Sequence, residues 1–415
     1  MRDISTREVL KTFRAMSDDA FQFDLEVRDP ARVLVSPLKV PGLENPAGLL
    51  VLRDWTLVIS TTCPLRSALA KREYKIMKIS PWGQEIPLDL GPDIWLNSPT
   101  SVAEDAGDIV FADTFSHSIR RIKTERGHNT ISTVAGGVDM SRESFSREMG
   151  KSPHSYNPYH IQGFVDARGA EARFRKPEGV LAAHGMLIVA DTGNHAIRVI
   201  ERDGMVRTLA GNGQRGSVDG EGLAAQFRNP SRLALDIDGS ILVSDESALR
   251  RVTMEGLVTT VAGNGEQNGF ADGAGTNARF SNLCDVVVDG DGVIVVADME
   301  NHCLRKIVRD GAGYLVTTLV GVPGRERNEF QVDGNGAAFR LSNPTTLALD
   351  GHGRVLVSEN PPSDETMWVV DASLAPRFPD RSLAFAMSQH KRLGQGARAY
   401  ALKADLVKMI LDNMR

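Results

Sequence analysis

The chain has 415 residues, 41% of them hydrophobic, and a formal net charge of −5 at pH 7. That balance disfavours nucleic-acid backbones, whose non-specific binding runs on positive charge. The three cysteines, Cys63, Cys284 and Cys303, give neither a disulfide framework nor a paired metal-ligand spacing.

The first residues, Met1 to Phe21, are charged throughout and lack the apolar stretch of a signal peptide. No run in the chain approaches the length of a membrane span, so a cytoplasmic protein is expected. Ser5-Thr6-Arg7-Glu8 fits a capping box before a short helix over 7–16, making 1–31 an N-terminal helical extension. Residues 32–40 (RVLVSPLKV) read as a strand. From there the 39 glycines scatter through the sequence, which points to many tight turns between short strands and an all-β fold.

A repeat follows. A degenerate unit opens at Pro46, and a second, 99–136, contains VFADTFSHSIRRI. The segment 177–213 reads PEGVLAAHGMLIVADTGNHAIRVIERDGMVRTLAGNG and recurs from Pro230 as PSRLALDIDGSILVSDESALRRVTMEGLVTTVAGNG. A further copy spans 283–321, and a last degenerate one opens at Pro344, which makes six. Asp191, Asp245 and Asp298 lie 54 and 53 positions apart, and Phe174, Phe227 and Phe280 are each 53 apart. Four short runs separated by turn signals mark a unit, for example 179–183, 187–191, 196–201 and 206–210. Each unit is therefore a small antiparallel sheet of about the 50-residue length of a propeller blade, and such sheets must stack radially to bury their faces.

Closure is legible from the two ends of the array. The last unit supplies three strands (347–350, 355–359, 367–371) and no fourth. The strand at 32–40 stands where every other unit is preceded by its neighbour's outermost strand, so it is expected to complete the sixth blade. The expected fold is a six-bladed β-propeller of four-stranded antiparallel blades over 32–375, with helical N- and C-terminal extensions.

Two segments break the period. The step from Asp113 to Asp191 is 78 residues, and its surplus lies at 138–162. This insertion holds Phe145, His154, Tyr156, Tyr159 and His160 among serines and arginines, a composition suited to interface anchors. In the C-terminal segment 376–415, Leu402, Leu406, Met409, Ile410 and Met414 recur at helical spacing, opposite Lys403, Asp405, Lys408 and Asp412.

The recurring (V/I)-A-D-x-x-N-H-x-(I/L)-R block and the V-T-T-(L/V)-A-G-x-G…G-x-x-D-G-x-G…A-x-F link resemble the NHL-repeat family, whose members fold as β-propellers. The first and last units match only in strand pattern, with Thr61 and Glu359 where the others carry Asp. The terminal string LKADLVKMIL resembles the opening helix of an F-box, which would make the chain an adaptor for ubiquitin ligation.

The recurring polar residues suit a structural role. Asp113, Asp191 and Asp298 precede Arg120, Arg198 and Arg305 by seven residues, and Asp245 precedes Arg250 by five, so a bidentate pair across each turn is expected. Phe174, Phe227, Phe280 and Phe339 are assigned to the core between blades. His117, His195 and His302 occupy the same turn in different blades, too far apart for zinc ligands to converge. The glycine-rich links 211–222 and 263–275 are read as turns and not as phosphate cradles.

Two propeller enzyme families offer a test at the position after each strand-opening residue, which here holds Ala47, Thr100, Glu178, Ser231, Cys284 and Thr345. The lyase half of peptide-amidating enzymes places zinc histidines there, and this sequence has none. Gluconolactonase-like propellers hold a divalent cation with Glu, Asn and Asp in this region; Glu178 alone is in register, with Asp285 one position off. Metal-dependent hydrolysis thus stands as the alternative. The expected function is a non-catalytic scaffold without cofactor or metal. A monomeric propeller would recognise a protein or other ligand on one face, with Glu178, Phe145, Tyr156, Tyr159 and His160 as candidate contacts; neither nucleic acid nor membrane is expected as partner.

Overall fold

A computed structural model describes residues 33–371 apart from 41–42, 44, 62–73, 82, 91–95, 126–127, 138–161, 324–338 and 361–365. The second strand of each unit explains the architecture. Leu57–Thr61, Asp108–Asp113, Met186–Asp191, Ile241–Asp245, Ile294–Asp298 and Val355–Glu359 are buried along almost their whole length. A strand covered on both faces needs an unbroken β-branched and apolar run, and strings such as LVIST, ILVSD and IVVAD supply it. The fourth strands instead mix exposed and buried positions, as in His128–Gly136 and Leu257–Gly263, because they form the outer edge.

The strands assemble into six antiparallel sheets, here blades 1 to 6 in chain order. Blades 1, 2 and 3 begin with inner strands Pro46–Val51, Pro99–Asp105 and Gly179–Ala183. Blades 4, 5 and 6 begin with Pro230–Leu235, Leu283–Val288 and Pro344–Leu349. Each inner strand neighbours the next, and that of blade 6 returns to that of blade 1, so the ring is closed around an axial channel. The fourth strand of blade 6 comes from the other end of the array: Leu34–Lys39 pairs antiparallel with Thr366–Asp371, from Leu34 against Asp371 to Lys39 against Thr366.

The chain is thus an all-β six-bladed propeller. Blades 4 and 5 gain a two-residue fifth strand, Gly220–Glu221 and Gly273–Ala274, inside links whose sequence suggested turns alone. The expected helices at 7–16 and 401–414 lie outside the described residues, as does the insertion up to residue 161. No helix among the described residues is long and apolar enough to cross a membrane.

Six hydrophobic clusters fill the six seams. Phe174, Phe227, Phe280 and Phe339 each sit in a different one, all at 2% exposure or less. Phe227, from the link entering blade 4, packs with Ile188, Ile197 and Val199 of blade 3 and with Ile241 and Val243 of blade 4. At two places the inner strands come so close that only glycine fits. A Cβ on Gly48 would lie 2.1 Å from the Thr100 carbonyl of blade 2, and one on Gly179 would lie 2.3 Å from the Ser231 carbonyl of blade 4.

Two outcomes follow from closure and packing. A chain beginning at residue 41 leaves Thr366–Asp371 as an unpaired edge, and light scattering should detect aggregation, or calorimetry a large fall in Tm; melting like the full chain would refute this closure. Phe227→Ala should cost about 3–5 kcal/mol in denaturant unfolding, whereas a change within about 0.5 kcal/mol would remove Phe227 from the core.

Candidate functional site

The repeated polar residues hold the frame. In blade 3 the Asp191 carboxylate accepts from the Arg175 amide (2.8 Å), the Asn194 side chain (2.8 Å) and Arg198 Nη1 (2.8 Å). Arg198 Nη2 then donates to Asp166 of the link entering the blade (2.5 Å) and to the Val165 carbonyl (3.0 Å). Arg250 bridges Asp245 (3.1 Å) and Asp219 (2.7 Å) in the same way. Arg305 bridges Asp298 (2.8 Å) and Asp272 (2.5 Å). The expected bidentate pair is therefore replaced by a fork divided between two carboxylates, one from the strand and one from the incoming link, which reads G-x-x-D-G in blades 4 and 5 and G-F-V-D-A in blade 3. In blade 2, Arg120 meets Asp113 at 3.2 Å. Burial pushes Asp191, Asp245 and Asp298 up to about 6 and raises Asp113, against the opposing pull of the arginines.

The histidines staple neighbouring blades. His117, His195 and His302 each end a 3-10 turn in the left-handed conformation, at φ 53°, 52° and 56°. His117 Nδ1 accepts from the Lys176 amide (3.0 Å), and His302 Nδ1 from the Asn343 amide (3.3 Å), each in the link to the next blade. His195 Nδ1 lies 2.8 Å from the Arg228 carbonyl and donates to it. Burial, with Lys176 and Arg175 nearby, lowers His117 to about 4, which keeps it neutral and able to accept. Each ring serves a different seam, and among the described residues no three His, Cys, Asp or Glu side chains converge as a metal site.

The axial channel is different, because its residues vary from blade to blade. At one mouth the inner strands open with Pro or, in blade 5, Leu283; in blade 3 Pro177 stands two residues before Gly179. Thr100 Oγ1 donates to the Glu178 carbonyl (2.9 Å) and contacts Thr114 Oγ1 (2.7 Å). Arg232 reaches across this mouth: Nη1 donates to the Glu178 carbonyl of blade 3 (2.9 Å) and Nη2 to the Ala47 carbonyl of blade 1 (2.6 Å). Asp285 points into the seam with blade 6, where it accepts from the Leu347 amide (2.8 Å), and it also accepts from the Val286 amide (2.8 Å). Burial raises Glu178, lifts Asp285 to about 6 and lifts Cys284 to about 12, with Arg232 opposing in all three. A thiol held so high is no nucleophile at neutral pH. Arg232 was not singled out from the sequence. Its signal was there: the aligned third position reads Gly48, Ser101, Gly179, Arg232, Asp285 and Thr346, with one cation among small and acidic residues.

The same face carries the departures. Phe115, in the turn where blades 3 and 5 have Gly193 and Glu300, is 45% exposed, and the Lys176 ammonium lies 5.7 Å from its ring centre. The insertion leaves the frame beside this turn, where a side chain on Gly137 would run into the Ser116 carbonyl. It returns at Gly163, whose carbonyl accepts from Asn194 (2.6 Å). Phe145, Tyr156, Tyr159 and His160 lie outside the described residues. Of the candidate contacts, Glu178 is described, half-buried at the channel mouth.

No family model matches the chain. It is similar to NHL repeat-containing protein 2 of Gallus gallus, 29% identical over 228 residues, which is 47% of this chain and 31% of that protein. It is also similar to Protein SUPPRESSOR OF QUENCHING 1, chloroplastic, of Arabidopsis thaliana, 32% identical over 150 residues, which is 36% of this chain and 13% of that protein. The matched part thus spans less than a third of these relatives. A Bacteroides thetaiotaomicron structural-genomics protein of unknown function shares the fold, with TM-score 0.55, 16% identity, and 81% of this chain and 75% of that one covered. An auxiliary nutrient binding protein of the same organism does so at TM-score 0.53 and 12% identity, over 82% and 76%.

Asp285 gives a test of the channel electrostatics. Its folded pKa of about 6 lies above the ordinary 3.8. Between these values the folded protein binds a proton that the unfolded chain does not, so this contribution is fully present below pH 3.8 and is lost as pH rises through about 6. Asp285→Asn does not titrate there. Its stability deficit against the parent, measured by urea unfolding, should therefore widen as pH falls from 7 to 4; a constant deficit would mean an unshifted carboxyl.

Proposed function

We propose that this chain, a six-bladed β-propeller of the NHL-repeat family, is a non-catalytic recognition module that captures a protein partner on the face carrying Phe115, Lys176 and the root of the 138–162 insertion. The observation behind this reading is where the chain departs from its own repeat. Polar groups that recur in every well-matched blade are consumed by the frame, leaving none of their carboxylates free for chemistry. The non-repeating residues gather at one face instead: a phenylalanine 45% exposed, a lysine over its ring, and two insertion roots. An exposed aromatic flanked by a cation suits an interface anchor, and loops on a rigid ring can vary without cost to the core.

Metal-dependent hydrolysis has less support. Glu178 has no oxygen-bearing companion at its own ring position other than Thr100, Ser231 and Thr345, and Asp285 is committed to two backbone amides. Ubiquitin-ligase adaptation would rest on 401–414, outside the described residues.

The test compares the parent, a variant lacking 138–162, and Phe115→Ser by affinity capture from cell extract, with Tm measured for each. Both variants should keep the parental Tm and lose the proteins that the parent captures. Undiminished capture by both would defeat the face assignment. A saturable calcium-dependent rise in Tm that Glu178→Gln abolishes would promote the hydrolase in its place.

A further inference from the structure

In blades 3 to 6 the residue after the seam phenylalanine is Arg175, Arg228, Ser281 and Arg340 in turn. In blades 4 and 5 the turn of the same blade supplies this residue with a carboxylate: Arg228 Nε meets Glu246 (3.3 Å), and Ser281 Oγ donates to Glu300 (2.6 Å). In blade 3 the turn offers Gly193 instead, packed so close that a Cβ there would lie 2.5 Å from the Arg175 carbonyl. The acid is missing. Among the described residues the exposed Arg175 guanidinium makes no ion pair.

The next position departs as well. Ahead of the strand-opening residue the other blades have Asn45, Ser98, Asn229, Asn282 and Asn343, and blade 3 has Lys176. Its backbone lies at φ 49°, in the left-handed region that asparagine tolerates and lysine does not favour. The Lys176 ammonium stands over the Phe115 ring, and Glu178 feels its charge without bonding it. Burial comes first in lowering both His117 and His195, and Arg175 adds to it in each, which puts the guanidinium between two blades. A chain of net charge −5 thus holds two adjacent uncompensated cations beside a phenylalanine 45% exposed.

We infer, resting on the face assigned above, that this corner captures an acidic peptide segment of the partner: one carboxylate on Arg175, a second on Lys176, and an apolar residue between them over Phe115. A guanidinium fork matches a carboxylate in geometry as well as charge, and covering the exposed ring buries apolar area. A nucleic-acid strand fits less well, because it needs a track of cations along its phosphates. The neighbouring Arg215 and Arg228 are already held by Glu246 and Glu266. An extended polyanion leaving Arg175 would run into these carboxylates, whereas a short acidic segment would not.

A random decapeptide display library panned on the immobilised full chain supplies the probes, which are then synthesised with a fluorescent label and titrated by anisotropy. Peptides selected by the parent should be rich in Asp and Glu around an apolar residue and should bind more weakly as salt rises. Arg175→Glu combined with Lys176→Glu should weaken them by about tenfold or more, the scale of one charged hydrogen bond. Both side chains are exposed, so Tm should hold. Lys176→Asn, which restores the residue of the neighbouring blades, should weaken the same peptides while raising Tm, because asparagine suits the left-handed backbone. Any of three results overturns the inference: a selected set without acidic excess, affinities untouched by the charge reversal, or a uridine dodecamer bound more tightly than the best peptide. Peptides that the charge reversal leaves bound but Phe115→Ser releases would remove the acidic assignment and leave the face in place. Peptides that neither variant releases would remove both.

Discussion

Everything in this propeller depends on an arginine buried between two aspartates. Arg198, Arg250 and Arg305 are fully buried, and a lone guanidinium there would be prohibitive. Each is held by a buried strand carboxylate and by a second carboxylate that is nearly half exposed. The outer carboxylate keeps part of its hydration, which lowers the desolvation cost of the group as a whole. It also accepts from Thr208, Thr260 or Thr318 on the fourth strand. One cation therefore ties the second strand, third strand, fourth strand and incoming link of a blade. Removing any partner leaves a buried charge uncompensated, which is why the motif recurs as a set.

The two degenerate blades support this account. Strand register puts Met77 opposite Ile59 in blade 1 and Trp368 opposite Val357 in blade 6, the places held by arginine in the other four. Where the aspartate is gone, the arginine is gone too. Thr61 belongs to a blade with no buried cation among the described residues. Glu359 accepts from the Trp368 indole (2.9 Å) and from the Ser342 amide (2.5 Å), so it keeps the aspartate's hold on the link. Trp368 fills the space with apolar surface and meets the Phe339 ring edge-on at 4.8 Å. Blade 6 is also the blade assembled from both ends of the array, and its large aromatic pair makes that junction a packed one.

The blade number, the strand order and the closing strand were legible in the sequence because each rests on something periodic: the Asp spacing, the Phe spacing and a missing fourth strand. The division of each arginine between two carboxylates was not. The second aspartate lies in the incoming link, 31 to 33 residues upstream of the arginine it meets in blades 3 to 5, and reads locally as turn chemistry. Arg232 escaped for a different reason. A single residue out of repeat looks like ordinary variation until the ring places it on an axis, where its reach from blade 4 to blade 1 has no counterpart in any linear spacing. Asp285 was read as one residue out of register with Glu178, and that offset is what turns it to the blade 6 backbone.

A ring of near-identical blades has six equivalent positions at each level, so any chemistry it performs must come from breaking that equivalence. This chain breaks it in two separable places. On one face an insertion, Phe115 and Lys176 differ from their counterparts, on turns whose backbone the histidines have fixed. Along the axis, two glycines allow neighbouring strands to touch, and one arginine spans the opening that remains. The first asymmetry costs the core nothing because it lies outside the seams. The second is constrained from every side: Gly48 and Gly179 cannot take a side chain without pushing blades apart, and Arg232 is held by the carbonyls of two blades. The face is therefore free to vary without disturbing the core, while the channel is free to vary only toward its far end, where Glu104 and Leu235 lie outside the seam clusters.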